Sequence, residues 1–182
     1  MSKSKKQQQL FKIILTAVLI GMNLVLERIV PSYKIWSQDI SFGFIAVAFA
    51  AAFLGLPYAA AVAGVGDLLG SLLFPFGTYF PGFTLTNCVY GIILAIFLYK
   101  NASWFKVILC VILNKLVCSL LLNTLWISIL YRGGIDAFPL VFTGRLVGTG
   151  ISAAVELIIL MIVFSRESHI RKLLEKNLKK II

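Results

Sequence analysis

Residues 66–86 read GDLLGSLLFPFGTYFPGFTLT, and this run decides how the rest of the chain is read. An apolar helical stretch carries one carboxylate, Asp67; a Pro/Gly/aromatic turn follows, and Thr84 and Thr86 open a second apolar stretch. In hydrocarbon an ionisable side chain costs on the order of 2.5–3.5 kcal/mol on insertion scales, so it is kept where it has a buried partner or a ligand. Asp67 therefore marks a candidate site, and the turn separates two membrane segments.

The surroundings support a membrane reading. The 182 residues are 60% hydrophobic and 13% charged, against about 25% charged in soluble domains. Short polar or Pro/Gly breaks near 31–39, 55–57, 74–82, 100–105 and 131–138 leave six apolar segments, several of them close to the roughly 20 residues that span a bilayer. The pattern predicts an all-α integral membrane protein with six transmembrane helices, over about 10–30, 40–55, 58–73, 83–100, 106–130 and 139–165. The second and third are short, so they run steeply or have their ends covered by neighbours. The whole chain, 1–182, reads as a single membrane domain, with 166–182 a basic tail.

Charge orients the bundle. The first segment has no cleavage-site pattern and reads as a retained helix, which puts both termini on one side. Lys3, Lys5, Lys6, Lys12, Lys100, Lys106, Arg166, Arg171, Lys172, Lys176, Lys179 and Lys180 lie at that side, and only Arg28, Lys34 and Arg132 flank the other. Twelve against three makes the termini cytoplasmic, in the cell membrane. The formal charge of +10 is thus a topology signal, and no nucleic-acid module accompanies it.

Several chemistries lack their residues. Cys88, Cys110 and Cys118 form no Cys-x-x-Cys pair, and the single histidine, His169, lies in the basic tail; no metal or cofactor is expected. A membrane enzyme, such as an intramembrane protease or lipid transferase, would want an intramembrane histidine, a Gly-x-Ser-x-Gly elbow or clustered acids, and none is present. No Gly-x-x-x-x-Gly-Lys-Ser/Thr phosphate loop occurs either. Active transport would draw its energy from a partner or from an ion gradient, and the lack of an obvious inverted repeat favours the partner.

Polar residues inside the predicted helices point to a binding site. At 3.6 residues per turn Lys115, Ser119, Leu122 and Trp126 share a stripe of the fifth helix with Asn123 at its edge, and Arg145, Thr149, Ser152 and Glu156 share one on the sixth. Lys115, Glu156 and Asp67 fall at similar depth, so Lys115 pairs with one of the two acids. Aromatic residues gather on the outer side: Tyr33 and Trp36, then Phe74, Phe76, Tyr79, Phe80 and Phe83, then Trp126 and Tyr131. They read either as an interfacial belt or as a cleft that stacks a flat ligand. Asp67, Asn87, Asn123 and Arg145 would supply its polar contacts. Small residues at Ala17 and Gly21, and at Ala59, Ala63, Gly66 and Gly70, suit close helix contact.

Four segments carry a family resemblance: Ile40-Ser41-Phe42-Gly43-Phe44, Gly66-Asp67-Leu68-Leu69-Gly70, Gly77-Thr78-Tyr79-Phe80-Pro81-Gly82-Phe83-Thr84-Leu85 and Asn123-Thr124-Leu125-Trp126. Along nearly its whole length the chain resembles the substrate-binding S components of energy-coupling factor vitamin transporters, and among them the folate-specific members. The resemblance implies a subunit that captures folate at the outer face and delivers it inward together with a transmembrane coupling subunit and two cytoplasmic ATPases. It also implies that Ala17 and Gly21 stand at the family's alanine-x-x-x-alanine docking motif, with glycine for the second alanine, and that the loop from Pro31 to Asp39 acts as a lid. Folate's flat pterin would face Asp67 or an asparagine such as Asn87 or Asn123. Its rings would meet Trp126, Trp36, Tyr79 and Phe80, and its glutamate Arg145, Arg28 or Lys34. Another flat vitamin such as riboflavin, or a pterin-like precursor, is the alternative cargo.

Overall fold

A computed structural model of the chain describes residues 3–30, 33–35, 38–75 and 78–165. Its apolar stretches are helical because backbone N–H and C=O groups in lipid must be satisfied within the segment. α1 runs Lys3–Leu24 and continues as a π-helical turn, Val25–Ile29. Then come β1 (Tyr33–Ile35), β2 (Gln38–Ile40), α2 (Phe44–Phe53), α3 (Leu56–Leu73), α4 (Pro81–Leu98) and α5 (Trp104–Asn114). A π-helical stretch over Lys115–Asn123 joins α5 to α6 (Thr124–Tyr131), and a 3₁₀ turn, Ile135–Ala137, leads into α7 (Phe138–Phe164).

Among the described residues, five helical stretches are long and apolar enough to cross a membrane: Lys6–Ile29, Leu56–Leu73, Pro81–Leu98, Trp104–Tyr131 and Ile135–Phe164. Phe44–Phe53 is apolar but shorter. It is the expected second helix, and its brevity has a packing reason. Ala46, Ala48, Ala50, Ala51 and Ala52 are fully buried, so α2 sits among α1, α3 and α4 instead of facing lipid along its length.

Two boundaries depart from the sequence expectation. Residues 33–35 and 38–40 pair as a small antiparallel ribbon, Tyr33 opposite Ile40 and Lys34 opposite Asp39, where only loop and the start of a helix at 40 were predicted. Short strands pair their own backbone groups outside the apolar segments. The helices expected at 58 and 83 begin instead at or before their prolines, and the one expected at Pro139 begins one residue earlier. Pro57, Pro81 and Pro139 occupy the first turns of α3, α4 and α7, where the missing N–H has no helical partner to lose and the fixed φ suits the helix. Trp36 and the tail at 166–182 lie outside the described residues, as does the side chain of Lys34.

Close packing rests on small residues. α3 and α4 make the most extensive contact; a Cβ on Gly64 would stand 2.3 Å from Cys88 Sγ, and one on Gly91 2.6 Å from the Ala59 carbonyl oxygen. Gly55, at φ 99°, makes the reversal between α2 and α3, a conformation that glycine adopts without Cβ strain. The β ribbon reaches α7 across the bundle end that also carries the turn between α3 and α4.

Candidate functional site

A cavity of about 180 Å³ lies inside the bundle, lined by all six helical segments. Its wall carries many hydrogen-bonding groups: amides at Asn23, Asn87, Asn114 and Asn123, hydroxyls at Ser41, Thr86, Tyr90, Ser119 and Ser152, and the ionisable Glu27, Lys115 and Glu156. Polar groups in such a place are costly unless bonded to protein or ligand.

Part of the cavity wall is an ion-pair network. Lys115 Nζ stands 2.7 Å from Glu156 Oε2 and donates to Ser152 Oγ at 2.8 Å; the Tyr90 hydroxyl donates to Glu156 Oε1. This settles which acid Lys115 chooses, and Glu156 is the one on the predicted polar stripe of the last helix. Arg145, Thr149, Ser152 and Glu156 are all buried on one face of α7, as their spacing predicted.

Asp67 is engaged elsewhere. Arg28 crosses from α1 over Gly70, where a Cβ would come within 2.8 Å of its Nε. Its guanidinium stands 3.7 Å from Asp67 Oδ1 and donates to Ser71 Oγ at 3.3 Å. Thr84 Oγ1 donates to Asp67 Oδ2 at 2.7 Å, and the hydroxyls of Tyr79 and Thr84 are 3.3 Å apart. One carboxylate thereby ties α1, α3 and α4 together beside the cavity, without being part of its wall.

The aromatic corner is also adjacent to the cavity. Trp126 Nε1 donates to Thr86 Oγ1 at 3.0 Å, and its ring lies 5.4 Å from that of Phe80. Gly82 makes the room, since a Cβ there would meet both rings at 2.8 Å or less. Thr86 lines the cavity, so Trp126 and Phe80 stand one residue behind the wall.

Of the residues singled out from sequence, Asn87 and Asn123 line the cavity; Asp67, Arg28, Tyr79, Phe80 and Trp126 form the two adjoining networks. Arg145 is buried on α7 and does not line it. Ala17 and Gly21 lie on the exposed side of α1, and nothing approaches within 4 Å of where a Gly21 Cβ would be. Among the described residues no group of three metal-ligating side chains occurs.

Sequence reasoning passed over Glu27 and Asn23. Glu27 adjoins Arg28 near the end of the first apolar segment and so looks like part of a charged boundary. The π turn at Val25–Ile29 separates the neighbours, sending Arg28 to α3 and Glu27 to the cavity. Asn23 is fixed by donation to the Gly43 carbonyl at 3.1 Å, with its Oδ1 seated where a Gly66 Cβ would be. The second π stretch alters the fifth span. With i→i+5 bonding in place of i→i+4, Lys115, Ser119 and Asn123 line the cavity and Leu122 does not.

Residues 11–164 match the family model described as the ECF transporter substrate-specific component. The chain belongs to this family. As such it is the substrate-binding part of a transporter in the cell membrane and not an enzyme. It is 37% identical over 122 residues to the folate transporter FolT of Clostridium novyi (strain NT), covering 66% of this chain and 69% of that one. It is 28% identical over 125 residues to FolT of Leuconostoc mesenteroides subsp. mesenteroides, covering 68% and 66%. Its fold is similar to the crystal structure of FolT bound with folic acid, at TM-score 0.75 and 32% identity over 85% of this chain and 92% of that one. A substrate-specific component with a polar cavity of this kind takes a ligand rich in hydrogen-bonding groups.

Proposed function

We propose that the chain captures folate at the outer face of the membrane and passes it inward with an ATP-driven coupling module. The observation that carries the reading is the cavity itself: Asn87 and Asn123 form no hydrogen bond among the described residues, and Asn123 Oδ1 is buried without a partner. A conjugated ligand with donors and acceptors around its edge satisfies such groups. The likeness to FolT, and to FolT bound with folic acid, supports folate over riboflavin as that ligand.

The chain works as one membrane domain of six spans with both termini cytoplasmic. Support comes from the excess of lysine and arginine on the terminal side and from α2 packing among the longer helices as the sixth apolar element. The ribbon between α1 and α2 reaches α7, a placement that suits a cover over the ligand. The exposed side of α1, with Ala17 and Gly21, is the docking face for the transmembrane coupling subunit. Small side chains there let two helix backbones approach closely, and two ATPases complete the assembly.

Titration of the purified chain with folate, riboflavin and a pterin without the glutamate tail, followed by tryptophan fluorescence, tests the cargo. Saturable binding of folate below micromolar concentration, with riboflavin inert, is the expected outcome. Riboflavin binding with folate inert would overturn it.

A further inference from the structure

We propose that the rim of the bundle formed by Lys12, Lys100 and Lys106 with the exposed rings of Trp104 and Phe105 is a docking surface for anionic phospholipid headgroups. The lipids are those of the leaflet on the side of the N-terminal helix end.

Contacts join these residues into one rim. Lys12 Nζ stands 5.7 Å from the centre of the Tyr58 ring, which links α1 to the first turn of α3. The Tyr99 ring packs on Gly55 in the reversal between α2 and α3, where a Cβ would meet it at 3.0 Å. Lys100 Nζ lies 5.2 Å from the centre of that same Tyr99 ring, and Lys106 Nζ donates to the Asn101 carbonyl at 3.4 Å. α1, the α2–α3 reversal and the α4–α5 connection thereby bring three ammonium groups to one end of the bundle.

No carboxylate answers them among the described residues. Asp67 and Glu156 are paired with Arg28 and Lys115. Glu27 is on the cavity wall, Asp39 in the ribbon and Asp136 in the turn before α7. Three uncompensated cations at the end of a membrane bundle attract an anionic surface.

Apolar exposure makes that surface a lipid one. Trp104 and Phe105 are 70% and 63% exposed, with their rings edge to face at 6.4 Å. Phe105 opens a stripe that Leu109, Ile112 and Leu116 continue at helical spacing, all of them exposed. A phospholipid meets both halves of this arrangement, its acyl chains along the stripe and its phosphate against the lysines. Aromatic rings settle at headgroup level, lysine stems carry their charge outward past apolar surface, and ammonium groups donate to phosphate oxygens in charge-assisted bonds.

The backbone at Lys100 adds independent support. At φ 63° it is the one non-glycine residue in the left-handed region among those described, a conformation that glycine adopts freely. Its N–H is held by the Ala52 carbonyl at 3.2 Å. Strained residues persist where a side chain has a role, and here the side chain is one of the three cations of the rim.

Native mass spectrometry of the purified full-length chain in detergent tests the proposal, by titration with phosphatidylglycerol and phosphatidylcholine of the same acyl chains. Near an anionic surface each lysine is worth about fivefold in binding. The parent is expected to bind phosphatidylglycerol about twentyfold or more tighter than phosphatidylcholine, and Lys100→Gln/Lys106→Gln to lower that preference to about fivefold or less. Lys100→Gly, which relaxes the backbone, should lower it about fivefold with the melting temperature unchanged or raised. Arg132→Gln, just beyond the far end of the span that Trp104 begins, should leave it unchanged. Equal affinity of the parent for the two lipids overturns the proposal, and this comparison needs no substitution, so it decides the matter even if a variant fails to fold. A double variant that keeps the parent's preference overturns it as well, as does an equal loss in Arg132→Gln. Displacement of phosphatidylglycerol by millimolar inorganic phosphate would make the rim a site for the free anion and overturn the lipid assignment.

Discussion

Lys115→Met tests the buried ion pair on the cavity wall. Lys115 Nζ and Glu156 Oε2 are 2.7 Å apart, and their side chains are 18% and 5% exposed. At that distance an effective dielectric of about 20 gives a gross attraction of about 6 kcal/mol, most of it offset by taking both charges out of water. Removing one partner alone leaves the other buried and uncompensated, which costs about 3–5 kcal/mol. Glu156 would keep the Tyr90 hydroxyl and an adjoining cavity that admits water, so the lower end, about 3 kcal/mol, is expected. At about 2–4 °C per kcal/mol for a chain of this size, the melting temperature falls by about 6–12 °C. Thermal unfolding of ligand-free protein in detergent measures it. Lys115→Met/Glu156→Gln should recover most of the loss, because no buried charge is then left alone. A single variant that melts within about 2 °C of the parent, or a double variant no better than the single, would refute the reasoning.

Asn123→Leu removes the buried Oδ1 that has no protein partner; folate affinity should fall about threefold to tenfold with thermal stability unchanged or raised, since an unsatisfied acceptor is lost. A stability loss with unchanged affinity in the same titration would assign Asn123 to packing. Gly91→Ala places a methyl 2.6 Å from the Ala59 carbonyl oxygen, which is backbone and cannot swing aside; a destabilisation of about 1–3 kcal/mol is expected, read as a lower melting temperature. Ala17→Trp on the exposed side of α1 should spare folate binding by the isolated chain and block uptake in cells. Uptake at the parent's rate would show that this face does not dock the coupling subunit.

How much was legible in the sequence differs from residue to residue. The polar stripe of α7 was readable because an α-helix repeats every 3.6 residues, and Arg145 to Glu156 keep that spacing in the structure. The stripe of the fifth span was readable only in part. It becomes π-helical at Lys115, so Asn123 faces the cavity and Leu122 leaves it, and nothing in local composition announces a change of hydrogen-bond period. Glu27 was illegible for the same reason, since adjacent charged residues look alike until a π turn sends them to different neighbours.

The sequence by itself determined that this is a membrane protein of apolar helices, where its breaks fall, and that Asp67, Lys115 and Glu156 need partners, because these follow from the cost of placing charge and backbone in hydrocarbon. Only tertiary structure decided who partners whom. Asp67 answers to Arg28 and Thr84, and Lys115 to Glu156. Pairing depends on which helix faces cross at the small residues Gly66, Gly70 and Gly91, a relation between segments that are distant along the chain. The run from Gly66 to Thr86 thus marked the place of a site, and the bundle turned its carboxylate into a tie between helices beside a polar cavity.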